Sequence, residues 1–420
     1  MVRNIKGIFV KRFVLLMASI AIAALLNGCS NKSGSADAAP DFRAIAGDGV
    51  VTLVWTAAPD VEYWLFYASG SAVTTSNWLS IGGRAVTNAT SPHTITGLVN
   101  GTTYSFTMNG RKQGGPGGPG APTQVVTPRF AGSNWAVGAP LGTGKLNGIS
   151  AASTTNVIVG AGGSIFAGLS GATPTAKTNP SAPADLNAVL TGSLGFVSVG
   201  AAGTVVFSAD STTWTTKTSG TVADLYALAT RGAGAFVAVG AAGTIISSVD
   251  GSTWVAATSA TTKHLYAATY GSGRYVAVGA QGTIVTSTDG AAWQAVAVNT
   301  TNDLRGVALG TFVATTGTGT TATTTTTNVF VAIGAAGTVL TSPDGLVWTL
   351  QAPISTNNMN AIAFSGQFVA VGNAGSIYTS ADGISWQARS SGTVNDLTAL
   401  SRSSTGYTAV GAAGTNLTSL

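Results

Sequence analysis

The side chains in residues 130–420 that could act as acids, bases or nucleophiles are few and regularly placed. Five aspartates, Asp210, Asp250, Asp289, Asp344 and Asp382, are each followed four positions later by a tryptophan: Trp214, Trp254, Trp293, Trp348 and Trp386. The other four, Asp185, Asp224, Asp303 and Asp396, each directly precede a leucine. The stretch has no glutamate, no cysteine and one histidine, His264. Its five arginines (Arg231, Arg274, Arg305, Arg389 and Arg402) do not share a place in the pattern. Glycoside hydrolysis needs a pair of carboxylates, or a tyrosine activated by a glutamate. Acids that all recur at one spacing are what a repeated scaffold requires, so a non-catalytic protein is expected. A lone histidine without cysteine supports no His/Cys metal cluster, Ser-His-Asp triad or haem attachment motif, and no cofactor is expected.

The acids belong to a repeat. FVSVGAAGTVVFSADSTTW (Phe196–Trp214) returns at Phe236–Trp254, Tyr275–Trp293, Phe330–Trp348 and Phe368–Trp386, with weaker copies at Val157–Phe166 and Tyr407–Leu417. Seven glycines anchor the copies: Gly160, Gly200, Gly240, Gly279, Gly334, Gly372 and Gly411. Each unit of about 40 residues contains four β-branched or aromatic runs punctuated by glycine turns, the pattern of a propeller blade. The last copy stops before its S-x-D-G-x-x-W, and the missing part stands at the start as Gly132-Ser133-Asn134-Trp135. Residues 130–420 are therefore read as a seven-bladed β-propeller closed between 130–136 and 407–420. Such a joint removes two exposed strand edges. A Thr-rich insertion at 315–328 is read as a mobile loop between the first and second strands of its blade.

Comparison of the seven copies locates the variable positions. The GAAGT turn is nearly uniform, whereas the residue after the blade-opening leucine (or Met359) is not: Asn147, Asn187, Tyr226, Tyr266, Arg305, Asn360 and Thr398. Just before the leucine (or Met359) stand Lys145, Asp185, Asp224, His264, Asp303, Asn358 and Asp396. The first ring mixes aromatics, amides and a guanidinium, and is the candidate ligand-binding rim for a peptide or glycan. The alternative is that the acids cap the loop turns and the ring fills space between blades.

Upstream, residues 1–12 are basic and Phe13–Leu26 are almost wholly apolar, a run that suits a signal-peptide core better than a membrane span. Residues 1–28 are read as the signal peptide and 29–40 as a flexible tether. Residues 41–129 alternate short strands with Gly, Pro and Asn turns, which argues for a β-sandwich. Charged residues are 8% of the chain, and 130–420 carry nine acidic and nine basic groups, so no nucleic-acid partner is expected.

Several of these segments resemble known families. Leu26-Asn27-Gly28-Cys29 resembles the lipid-attachment site of bacterial lipoproteins, which implies acylation of Cys29 and a lipid-anchored place in the cell envelope; Ser30 points by the same resemblance to the outer membrane. Residues 41–129 resemble fibronectin type III modules, with Trp55 as the core tryptophan and Leu98 with Tyr104 as the tyrosine corner. The S-x-D-G-x-x-W segments resemble the Asp-box, or bacterial neuraminidase repeat, of sialidases and other propellers. That resemblance implies that Asp ties the turn and Trp packs between sheets. The propeller is also distantly similar to photosystem II assembly factors. The expected function is a lipid-anchored binding or assembly platform for a protein or glycan, with a surface adhesin or structural component as the alternative and a glycan-acting enzyme further behind.

Overall fold

The computed structural model describes residues 33–419 apart from 71, 152–154, 170–171, 233–234, 317–322 and 404–405. Cys29 and the signal segment lie outside the described residues. Among the described residues there is no α-helix, and no helix is long and apolar enough to cross a membrane. The chain divides into two compact units, Met1–Arg129 and Phe130–Leu420.

Among the described residues the first unit has two antiparallel sheets. One pairs Arg43–Ala46, Val51–Val54 and His93–Ile95; the other is built on Glu62–Ser69, Arg84–Ala89 and Tyr104–Lys112. Alternation places Val51 and Leu53 fully inside, against Trp55, Tyr63, Leu65, Phe106 and Met108. The Tyr104 hydroxyl accepts a hydrogen bond from the Val99 amide at 3.1 Å, which fixes the turn before that strand. The tether reading fails at its C-terminal end. Gly34–Ala36 pairs with Gly110–Lys112 as a strand, and Ala39 is buried in the core. Backbone ladder bonds explain this, since they need no particular side chains. The loop 113–123 joins Tyr104–Lys112 to its partner strand Gln124–Val126.

Among the described residues the second unit has seven four-stranded antiparallel sheets, the strands of the first six each in sequence order. The first sheet opens with Leu146–Ala151 and the others with Leu186–Gly192, Leu225–Thr230, Leu265–Gly271, Leu304–Thr316, Met359–Phe364 and Leu397–Ser403. Each of these opening strands touches the next, and the seventh touches the first, so the ring is closed. The fourth strand of the seventh sheet is Ala136–Val137, paired with Leu417 and Thr418. Valines, isoleucines and aromatics of the second and third strands fill the space between sheets.

The anchor glycine has a steric reason. A Cβ on Gly240 would lie 2.0 Å from the Asp224 carbonyl oxygen, and a Cβ on Gly200 1.9 Å from that of Asp185. The chain then turns through a short 3-10 segment in which Ala242 takes φ 50 and Gly243 φ 72.

The insertion is not a loop over most of its length. Leu304–Thr316 and Thr323–Gly334 run to 13 and 12 residues, against 7 and 6 for the equivalent strands of the second sheet. Their ladder continues to the Thr316–Thr323 pair. Threonine is β-branched and favours extended backbone, which the loop reading overlooked. At about 3.3 Å per residue the extra length projects about 20 Å from the end of the sheet opposite Arg305.

Candidate functional site

The seven rim residues sit at seven equivalent irregularities. In every opening strand the ladder slips by one residue directly after the leucine (or Met359), between Leu186 and Ala188 for example, and the skipped residue is Asn147, Asn187, Tyr226, Tyr266, Arg305, Asn360 or Thr398. A β-bulge re-aims its extra side chain. All seven line one cavity of about 660 Å³ at the mouth of the central channel, with Lys145, Asn373 and Asp396 beside them. Below the rim the channel is lined by Gly148, Ala188, Ala227 and Ala267 together with aliphatic residues such as Val189, Leu228 and Val307.

Hydrogen bonding divides this ring into two arcs. Asn147 donates from Nδ2 to the Leu186 carbonyl at 3.0 Å, and Asn187 to the Leu225 carbonyl at 2.9 Å. Asn360 donates to the Leu397 carbonyl at 2.8 Å and to Asn373 Oδ1 at 2.7 Å. Thr398 Oγ1 donates to the Leu146 carbonyl, closing the circle. These four residues thus bridge their sheets to the next ones.

Tyr226, Tyr266 and Arg305, on three consecutive sheets, form the other arc. The tyrosine rings lie 5.8 Å apart, and His264 stands 6.2 Å from each. Burial raises the pKa of both phenols above the usual value, with Asp224 adding for Tyr226 and Asp303 for Tyr266, so both remain hydrogen-bond donors at neutral pH. Arg305 makes one long ion pair, Nη2 to Asp303 Oδ2 at 3.8 Å, and its buried Nε has no hydrogen-bond partner. Asn373 was missed from the sequence. Its signal was a departure from the GAAGT turn in the sixth copy.

The residues before the leucines act between sheets. Asp185, Asp224, Asp303 and Asp396 accept at Oδ1 from the amides of Gly162, Ala202, Gln281 and Ala374 at 2.7–3.0 Å, each in the turn of the preceding sheet. Asn358 Oδ1 does the same for Ala336, and His264 accepts through Nδ1 from Ala242 at 3.2 Å. Lys145 holds the seventh such position.

The box residues are likewise tied within their turns. Asp289 Oδ1 accepts from the amides of Ala291 and Ala292 and from Ser287 Oγ, and the Trp293 indole donates to the Gly290 carbonyl at 3.1 Å. Asp210, Asp250, Asp344 and Asp382, with Trp214, Trp254, Trp348 and Trp386, repeat the arrangement. Backbone hydrogen bonds lower the Asp289 pKa to about 2 and that of Asp210 further. No group of three or more His, Cys, Asp or Glu side chains is placed to hold a metal among the described residues.

The second unit is a β-propeller. Residues 172–304 match the family described as the DUF6242 beta propeller domain. The chain is similar in fold to a solved structure of YCF48 bound to D1 peptide, with a TM-score of 0.54 at 17% identity over 68% of this chain and 94% of that one. It is also similar to YCF48 from Cyanidioschyzon merolae (TM-score 0.52, 16% identity, 68% and 98% covered) and to a streptogramin B lyase (0.57, 10%, 69% and 99%). At these identities the likeness is one of fold. No curated protein matches the chain.

Proposed function

We propose that the chain is a non-catalytic binding platform: a seven-bladed propeller whose rim arc of Tyr226, Tyr266 and Arg305 grips a peptide or glycan segment at the channel mouth. The observation that carries this reading is the division of the rim. Four of its residues spend their hydrogen bonds joining sheets, while two phenols and a guanidinium face a cavity of about 660 Å³. Aromatic faces stack on flat or apolar groups, and the arginine fork and phenols supply donors beside them. That a related propeller was solved with a peptide bound fits a partner of this kind. The absence of catalysis is supported by the employment of the acids, which hold turns and joints and do not converge in the cavity as a pair.

In the same reading the first unit is a fibronectin type III module serving as a spacer. Its three- and five-stranded sheets, the buried Trp55 and the Tyr104–Val99 hydrogen bond support this. Acylation at Cys29 would anchor the protein in the cell envelope, at the outer membrane. Crosslinking in native membranes tests the platform. The wild-type chain should capture a partner that the Tyr226→Ala/Tyr266→Ala/Arg305→Ala triple variant does not, with melting unchanged. Equal capture by both refutes the rim, and mass spectrometry of the mature N-terminus tests the anchor.

A further inference from the structure

Six joints between neighbouring sheets share one construction. Between the second and third sheets, Val197 and Val205 of one face Phe236 and Trp254 of the other. The corresponding aromatic pairs of the third to sixth sheets keep ring centroids 6.1–6.5 Å apart. The joint between the seventh and first sheets departs from this in four positions at once. Thr408 and Asn416 stand where the other copies have valine or isoleucine, Asn156 stands where they have Phe or Tyr, and Pro174 where they have Trp.

The joint has not collapsed to absorb the loss. Thr398 still donates to the Leu146 carbonyl on the channel side, and Leu141 and Gly414 exchange backbone hydrogen bonds with the turn region, Leu141 N to Gly414 O at 2.9 Å and Gly414 N to Gly144 O at 2.8 Å. What results is a cavity of about 340 Å³ between the two sheets, walled by Asn156, Pro174, Tyr407, Thr408, Asn416 and Thr418. Asn416 Oδ1 is buried there without a hydrogen-bond donor. An unsatisfied buried acceptor carries a desolvation penalty that a ligand donor would remove. The size falls in the range of small-ligand pockets.

We propose that this closure joint is a binding site for a planar heteroaromatic group with a ring N–H, seated in the space that the Phe–Trp pair fills elsewhere and donating to Asn416 Oδ1. The flat gap between facing sheets selects the shape, and the orphan carbonyl selects the donor. The site is separate from the rim arc and stands or falls independently of it.

Calorimetry on the full chain with indole and 1-methylindole tests the assignment. Indole should bind, and 1-methylindole, which lacks the donor, should bind about tenfold more weakly. Asn416→Val should reduce indole to the level of 1-methylindole. Asn156→Phe/Pro174→Trp, which restores the common joint, should abolish binding of both. The tripeptide Gly-Trp-Gly separates the two sources of such a group: its binding points to a partner's side chain, and binding of indole alone to a free small molecule. Failure of both indole and the tripeptide to bind overturns the proposal. So does equal affinity for indole in the wild type and Asn416→Val, a comparison that stands even if the doubly filled variant does not fold.

Discussion

The amide of Gly132 donates to Ser419 Oγ at 2.7 Å, joining residues 287 positions apart. Within the third sheet the same bond runs from Gly251 to Ser248 Oγ at 2.8 Å, three residues apart. The two ends of the second unit therefore rebuild one box turn, with the Trp135 indole donating to the Gly132 carbonyl as the other box tryptophans donate within theirs. Ser419→Ala should lower the unfolding free energy by about 1 kcal/mol. Deletion of 130–137 also removes Trp135 and bares the edge of Asn416–Ser419, and should cost more than about 2 kcal/mol. Thermal unfolding of both variants measures this; an unchanged melting point after the deletion contradicts closure.

The two arcs of the rim should separate under mutation. Asn187→Ala removes a sheet-to-sheet bond and should destabilise by about 1 kcal/mol. Tyr226→Phe and Tyr266→Phe should stay within about 0.5 kcal/mol of wild type. Urea denaturation of the three variants makes the comparison.

Acid should weaken the box turns. The Asp289 pKa is about 2 in the folded chain against an ordinary value of 3.8, held down by the Ala291 and Ala292 amides and by Ser287. A depressed folded pKa contributes stability that is complete above the ordinary value and disappears as pH falls through the folded one. Denaturation midpoints of Asp289→Asn and wild type should therefore differ most above pH of about 4 and converge near pH 2. A gap that persists at the acid end would show that the charge is not what matters.

The joint positions before the leucines should follow acceptor chemistry. His264→Asp keeps an acceptor for the Ala242 amide and should melt near wild type, whereas His264→Ala should lose about 1 kcal/mol. Lys145 offers only donors where the other copies have an acceptor. Lys145→Asp should raise stability by about 1 kcal/mol, as read by calorimetric melting.

Much of the architecture was legible because the repeat prints its own alignment: anchor glycines, box aspartates and tryptophans recur at one spacing. The seven rim positions could likewise be picked out as the variable column. Which of them staple sheets was not legible, because the sequence does not show that folding brings a carbonyl of the next sheet, such as that of Leu225, within reach of the Asn187 amide. The closure cavity was spread over Asn156, Pro174, Thr408 and Asn416, residues from two copies that become neighbours only when the ring closes. The Thr-rich segment was misjudged from its low complexity, although threonine's β-branching argued for strands. The Gly34–Ala36 strand carries no side-chain signature at all.

The long hairpin gives the ring a further landmark, on the face away from the rim. The strand that begins with Leu304 and Arg305 on the rim ends at Thr316 in the ribbon on the far side. A molecule seated across the mouth and one grasping the ribbon would thus share a single backbone segment as their common reference. Any assembly using both faces would be keyed in rotation as well as in position.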